Sequence, residues 1–332
     1  MVVFGAVELG LFEALDTPRS SAELARRLGA TVDGTERLCR ALCGMGFVEL
    51  DGDVVSVPPS VRAVLGRGGE HSRVDVLWHH QRQLLPTLLR LSDAVRSGRP
   101  QHRAWPFASE EVADAPYDEL VRHPGEVRAF LGAMDRASVG VGASIAAAWD
   151  LRGARTMIDV GGGGGVVARE LLALLPDLVV HTVDLGVACV VARERSAAAG
   201  FGERHIVHDA DARAPLPIEN ADVVLLSAIL ADFPREERAT ILANARRALR
   251  QDGAVLISET LLDADRRGPP KAAFLSLLML AALRGDQLSG QDLVAELGDA
   301  GFVGARVVKG EPRDLVVARV PTLPGRPGSL GR

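Results

Sequence analysis

The stretch Thr156-Met157-Ile158-Asp159-Val160 runs into five consecutive glycines, Gly161 to Gly165, and helical spacing begins at Val166. Strand, glycine run and helix in that order describe a small-molecule site. Glycine permits a tight turn and lets a ligand approach bare amides with no Cβ in the way. The helix that follows points free N–H groups and a positive dipole end at the ligand. Counted from the strand end, the pattern is Asp159-x-Gly161-x-Gly163-x-Gly165. The dinucleotide pattern G-x-G-x-x-G/A fits only out of place, as Gly163, Gly165 and Ala168. Its first glycine belongs at the strand end, where the tight turn is made. An acid ahead of the first glycine suits a ligand that carries an ammonium or a sulfonium. A second strand-terminal acid, Asp184, follows 25 residues later, where a ribose diol would lie.

The elements that must position these residues alternate from Arg155 onward. Strands are expected at Thr156–Val160, Leu178–Val183, His205–Val207, Val223–Leu226 and Ala254–Ser258, and helices at Val166–Leu175, Val187–Ala199 and Arg235–Leu249. The strands are nearly continuous apolar runs, as in a parallel sheet covered on both faces. Val303–Val308 and Asp314–Arg319 then read as an antiparallel hairpin at the sheet edge. The fold class is α/β: a Rossmann-like, mostly parallel sheet with a C-terminal hairpin, preceded by a helical domain.

That first domain opens with helical spacing over Val2–Leu15, broken by Thr17-Pro18. Ser20-x-x-Glu23 is a capping box, and Asp33-x-x-Glu36 repeats the device for a helix through Leu42. Phe47–Leu50 and Val54–Val57 flank Asp51-Gly52-Asp53, a hairpin signal. Three helices and a hairpin spell a winged helix. Its charge argues against DNA. Residues 1–72 hold seven Arg and no Lys against ten Asp plus Glu, a net of −3, and binding phosphates needs a basic face. Dimerisation is the better use of the module. The expected boundaries are 1–70 for this domain, 71–150 for linking helices that form part of a substrate pocket, 151–320 for the cofactor domain, and 321–332 for a Pro/Gly-rich disordered tail.

Between the domains, His71–Ser97 and Glu126–Trp149 have helical spacing. Trp105, Phe107, Phe130 and Met134 supply aromatic and thioether surface for an apolar pocket, or for plain core. The longest apolar run, Ala272–Leu283, includes Met279 and reads as a buried helix lining a pocket; it is too short to span a bilayer. At 332 residues with 47% hydrophobic and 24% charged residues, the chain has the make-up of a soluble two-domain protein. A net charge of −5 favours neither nucleic acid nor membrane surfaces. No signal peptide is visible, and three cysteines, Cys39, Cys43 and Cys189, fit a reducing cytoplasm and no disulfide framework. No metal set is completed; adjacent His79 and His80 cannot share one helix face.

With these residues in view, the chain resembles class I S-adenosylmethionine-dependent methyltransferases. More narrowly it resembles the two-domain small-molecule O-methyltransferases of plant caffeate type and of bacterial aromatic polyketide pathways. The resemblance runs through nearly the whole chain and implies a homodimer formed through the N-terminal domain. The family carries a little more helix before the segment matching Leu9-Gly10-Leu11-Phe12, so this start is expected to be shortened. The resemblance assigns Asp159, Gly161, Gly163 and Gly165 to the methionine end of S-adenosylmethionine (or S-adenosylhomocysteine), and Asp184 to its ribose. His208-Asp209-Ala210 matches the Gly-Asp-Phe in which the acid meets the adenine amino group, and Leu226-Ser227 matches the strand end beside the sulfonium.

The catalytic segment departs from the pattern. The family writes Leu-His-Asp-Trp or Leu-His-Ser-Trp after its fourth strand, and this chain writes Leu230-Ala231-Asp232-Phe233. Ala231 stands where the resemblance expects the general base. Leu288-Ser289-Gly290 stands where it expects Arg-Thr-Glu, while the other flanking acid is kept as Glu259. Methyl transfer depends mainly on holding donor and acceptor in contact, and a positioned base adds roughly 10²–10⁴-fold. The sequence therefore leaves several readings. Asp232 or Glu259 takes the proton, or the acceptor needs little help. Alternatively, the scaffold performs non-methylating chemistry such as decarboxylation, hydroxylation, ring closure or a pericyclic step. An inactive partner subunit is disfavoured by the intact cofactor residues. The substrate is expected to be an aromatic or polyketide-like natural-product intermediate.

Overall fold

The computed structural model describes residues 1–322 apart from positions 68 and 70. The chain divides into two compact units, Met1–Pro86 and Thr87–Arg332. The tail expected at 321–332 lies, from position 323 on, outside the described residues.

The first unit contains helices α1 (Val2–Glu8) and α2 (Leu11–Ala14), strand β1 (Arg19–Ser20), and helices α3 (Ser21–Leu28) and α4 (Val32–Gly44). Strands β2 (Glu49–Asp51) and β3 (Val54–Ser56) follow, then α5 (Pro59–Leu65) and α6 (Val74–His79). The strands form a small antiparallel sheet in the order β1-β3-β2. The first helix is not continuous as the spacing predicts. Gly10 takes φ 71°, a left-handed conformation that glycine adopts without a Cβ clash, and separates α1 from α2. The apolar stripe survives the break, with Ala6, Val7, Leu11, Phe12 and Leu15 in one core. Ser20 caps α3 as expected, its hydroxyl accepting from Glu23 N at 3.2 Å. α4 starts earlier than Asp33 suggests. Thr31 is its cap, accepting from Gly34 N, while Asp33 pairs along the helix with Arg37.

The stretch expected as one helix over His71–Ser97 is four pieces. α6 runs into a π-helical turn, His80–Leu84, then α7 (Leu85–Leu88) and α8 (Leu91–Ser97). Pro86 has no N–H to donate to the carbonyl of Arg82, so the helical hydrogen-bond ladder loses a rung at this point. The wide turn sits directly before it. His79 Nδ1 and Gln83 Oε1 lie 2.7 Å apart there, and burial pushes the imidazole down to about 4.

The second unit continues with α9 (Pro116–Leu120), α10 (Pro124–Ser138) and α11 (Val141–Ala148). The alternating part is β4 (Thr156–Val160), α12 (Val166–Leu174), β5 (Val179–Asp184), α13 (Gly186–Ala198), β6 (His205–Asp209), β7 (Ala221–Ser227), α14 (Arg235–Ala248) and β8 (Leu249–Glu259). It ends with α15 (Pro270–Ala282), α16 (Gly290–Asp299), β9 (Val303–Val308) and β10 (Asp314–Arg319). The sheet order is β6-β5-β4-β7-β8-β10-β9. The first five strands are parallel, and β10 and β9 add antiparallel at the edge. Helices cover both faces. Met157, Val180, Val223 and Leu256 pack with α11 and α12, and Ile158, Val224, Leu226 and Ile257 pack with α14 and α16.

Three features of this unit differ from the periodicity. The helix expected over Glu126–Trp149 is cut at Gly140 (φ 84°), and Glu170 of α12 accepts from both Gly140 N and Gly142 N across the break. α15 is not buried all round: Ala272, Leu278, Ala281 and Ala282 are buried, but Phe274 is 55% exposed. Finally, Leu288-Ser289-Gly290 begins a capped helix. Ser289 and Asp292 form a reciprocal capping box at the start of α16. Ser289→Ala removes it and is expected to cost about 1 kcal/mol of stability, read as a lowered urea midpoint with unchanged slope.

Candidate active site

The carboxyl ends of β4, β5, β6 and β7 bring the cofactor candidates together, the crevice where open parallel sheets bind ligands. Gly161 leaves β4 with φ 68°, and a Cβ there would collide with Ile229. Gly161 N donates to Val183 O at 2.8 Å, which ties the loop to β5. Beneath the loop lies Asp159, 1% exposed, and a Cβ on Gly162 would strike its carboxyl. Neither carboxylate oxygen has a hydrogen-bond partner among the described residues. The neighbouring Thr182 hydroxyl is engaged by His205 Nε2 at 2.7 Å. Burial, then the charge of Asp184, pushes Asp159 up to about 7. A buried acid without a partner is costly, and a positively charged ligand end answers it.

Asp184 closes β5 and accepts from Gly163 N at 2.8 Å through Oδ2 and from Leu185 N at 2.7 Å through Oδ1. Asp209 stands directly across the parallel pair from Asp184 and accepts from Gly186 N at 2.9 Å. Ala210 N donates to Asp184 O. Burial, opposed by those two amide bonds and aided by Asp209, holds the Asp184 carboxyl above its ordinary range. A clamp that the sequence did not reveal covers the loop's outer side. Asp135 of α10 pairs with Arg195 of α13 at 2.5 Å and with Arg169 of α12 at 3.4 Å, and Arg169 donates to Gly164 O. A glycine loop with no Cβ in the way, an unpartnered buried carboxylate and two acids at adjoining strand ends fit a cofactor with a cationic centre and a ribose.

At the end of β7 the chain turns sharply. Ala228 is left-handed (φ 52°), a conformation that costs a residue with a Cβ about 1–2 kcal/mol. A 3₁₀ turn, Leu230–Asp232, follows. Glu259, at the end of β8, accepts from Ile229 N at 3.0 Å and Leu230 N at 3.1 Å. It therefore holds the turn that carries Ala231 and Asp232. Ala231 is buried, and its backbone packs against Gly285 so closely that a Cβ on Gly285 would collide with it. Gly285→Ala is expected to displace Asp232 and cut turnover while leaving cofactor affinity within about threefold, on the order of 0.6 kcal/mol; calorimetric titration with S-adenosylhomocysteine beside a rate assay separates the two. At Gly290 a Cβ would lie 2.7 Å from Val307, so packing closes that position to a larger side chain.

Two residues missed in the sequence act on Asp232, Tyr117 by a hydrogen bond and Arg313 by its charge. Tyr117 of α9 donates to Asp232 Oδ2 at 2.6 Å. Arg313, in the turn before β10, reaches Ser227 Oγ at 3.1 Å and also donates to Ser138 Oγ and Ala137 O. Burial pushes Asp232 up to about 7, the Tyr117 bond opposes it, Glu259 adds to it and Arg313 opposes it. Burial also pushes Glu259 up to about 7 against Arg313 and the turn's amides. Tyr117 could have been noticed as the chain's single tyrosine; Arg313 sits in no motif.

The aromatic candidates divide. Phe130 stands edge-on to Tyr117, with ring centroids 6.1 Å apart, and Met134 is half-buried one turn further along α10. Trp105 is buried, stacks on Phe107 at 5.2 Å and packs with Leu120, Val127, Leu131 and Val191. Met279 is half-buried on α15. Among the described residues, no group of three or more His, Cys, Asp or Glu is placed to hold a metal, and no helix is long and apolar enough to cross a membrane.

The fold and this crevice define an S-adenosylmethionine-dependent methyltransferase. The chain belongs to the O-methyltransferase family: the model of the O-methyltransferase domain matches residues 89–303, and that of the O-methyltransferase dimerisation domain matches residues 1–57. It is 35% identical to 3-hydroxy-5-methyl-1-naphthoate 3-O-methyltransferase of Streptomyces sahachiroi, over 92% of this chain and 86% of that protein. It is 32% identical to acetylserotonin O-methyltransferase of Gallus gallus, over 96% of this chain and 93% of that protein. The solved structure of PigF with SAH superimposes with a TM-score of 0.84 at 28% identity, covering 96% of this chain and 95% of PigF.

Proposed function

We propose that this enzyme methylates a hydroxyl of an aromatic, polyketide-like small molecule and that Asp232 receives the acceptor's proton. The bound cofactor supplies an electrophilic methyl group on a positively charged sulfur. Asp159, Gly161, Gly163 and Gly165 cradle its methionine end, Asp184 takes the ribose hydroxyls, Asp209 with Ala210 takes the adenine edge, and Ser227 lies at the reacting end. Glu259 fixes the 3₁₀ turn, so its part is to aim Asp232. A phenol has a pKa near ~10 and is a poor nucleophile until it loses its proton. Asp232 is the ionisable group of the segment in which Ala231 occupies the place of the family's histidine. The Tyr117–Asp232 pair at 2.6 Å is the observation that carries this reading. Phe130, Met134 and Met279 line the acceptor's apolar side, and Trp105 with Phe107 backs them.

The test uses trideuteromethyl-labelled S-adenosylmethionine with 3-hydroxy-5-methyl-1-naphthoate and N-acetylserotonin as probes, read by mass spectrometry. Label on oxygen in either probe supports the assignment. A cofactor-dependent product without label would move it to non-methylating chemistry.

The first unit, with its helices and three-stranded hairpin sheet, is read as a winged helix used for homodimerisation and not for DNA. The match to a dimerisation domain supports this, as does the net charge of −3 over residues 1–72. The expected result is a mass of two chains by light scattering and no retention on a DNA column. Three unpaired cysteines agree with a cytoplasmic setting.

A further inference from the structure

We infer that Tyr117 is the positioning residue of the acceptor site: its phenol donates to one oxygen of Asp232 and thereby presents the other oxygen to the acceptor hydroxyl. This rests on the reading of Asp232 as proton acceptor. The geometry is specific. The phenolic oxygen lies 2.6 Å from Oδ2, the short distance of a charge-assisted O–H···O⁻ bond. Among the described residues Oδ1 has no hydrogen bond, so it is the oxygen left for an incoming proton.

The support of Tyr117 is built into the fold. It sits on the five-residue α9, too short to hold itself in water. Glu119 of the same helix is buried and accepts from Ser109 N at 2.7 Å and Ala113 N at 3.0 Å, tying α9 to the preceding loop. Phe130 braces the ring from α10. Tyr117 also feels the charge of Asp184, the residue assigned to the cofactor ribose. Burial, then Asp232, raises the phenol's ionisation well above its ordinary value. It stays a donor while Asp232 changes charge. The charged groups that act on the pair are Glu259 and Arg313 on Asp232, and Asp184 on Tyr117.

In the step, the proton on the acceptor oxygen passes to Asp232 Oδ1, and the O–H electron pair remains on the acceptor oxygen. Asp232 becomes neutral, and the Tyr117 proton stays on the phenol throughout.

The single tyrosine makes the test direct. Protein labelled with ¹³Cζ-tyrosine gives one resonance. That resonance is expected to move with pH about a midpoint near 7, to lose the inflection in Asp232→Asn, and to keep it in Asp184→Asn. An inflection that survives Asp232→Asn, or no inflection between pH 5 and 9, overturns the inference. With ¹³C-carboxyl aspartate, the Asp232 signal is the one missing from Asp232→Asn. Its midpoint is expected to rise by about one pH unit in Tyr117→Phe, the loss of one hydrogen bond to a charged group. An unchanged midpoint in folded Tyr117→Phe protein also overturns it. None of these readouts needs an acceptor. If the coupling is found and Asp232→Asn still transfers methyl groups at the wild-type rate, the base assignment fails while the Tyr117–Asp232 pair stands.

Discussion

Asp232→Asn is expected to lower kcat for phenol methylation by roughly 10²–10⁴-fold, the usual worth of a positioned base, with cofactor affinity unchanged. Asparagine keeps the shape and still accepts the Tyr117 hydrogen bond at 2.6 Å, but it cannot take a proton. The pH profile of the wild-type enzyme checks the same assignment. Asp232 must be ionised to act, and burial lifts it to about 7. Activity should fall about tenfold for each pH unit below that value and level off above it. A wild-type profile flat from pH 5 to 8 would place the proton elsewhere. Glu259 carries a similar upward shift, but its Oε1 is occupied by the amides of Ile229 and Leu230. Glu259→Ala should therefore cost turnover through a disturbed turn, and the acidic limb should remain.

Asp184→Ala is expected to weaken S-adenosylhomocysteine binding by roughly 10²–10⁴-fold. Two hydrogen bonds from ribose hydroxyls to a carboxylate contribute about 1.5–3 kcal/mol each, and each 1.4 kcal/mol is tenfold. The loss has a second source in the protein itself. Asp184 Oδ2 accepts from Gly163 N, so alanine also unfastens the glycine loop. Asp184→Asn separates these effects, because the amide oxygen can keep one backbone bond while losing the charge. Calorimetry with S-adenosylhomocysteine should rank wild type, asparagine and alanine in that order. Equal affinities for wild type and alanine would remove Asp184 from the ribose site.

The alternating strands and helices, the edge hairpin and the cofactor crevice were legible in the chain because they depend on local signals. An apolar run of five to seven residues ending in glycine or an acid marks a buried parallel strand wherever it lies. Asp184 closes β5 and Asp159 stands one residue inside the end of β4, while Asp209 was found through the family resemblance; parallel pairing sets Asp184 and Asp209 side by side. Helix breaks were less legible. Gly10 and Gly140 interrupt good periodicity, and whether a glycine bends a helix or rides within it depends on what packs outside. At Gly140 the deciding group is Glu170, thirty residues away.

The catalytic corner shows the division most clearly. Residue order shows that Ala231 has no proton to exchange, and the family resemblance sets Asp232 and Glu259 beside the expected base. What holds each acid comes from packing between distant elements. Glu259 turns its carboxylate to backbone amides, while Tyr117, 115 residues before Asp232, donates to that acid, and Arg313 arrives from the edge hairpin. A hydrogen bond acts over about 3 Å in space and leaves no spacing in the chain when its partners come from different elements. Strand ends can be inferred from residue order; a side-chain pair between a short helix and a strand loop forms only when packing brings those two elements together.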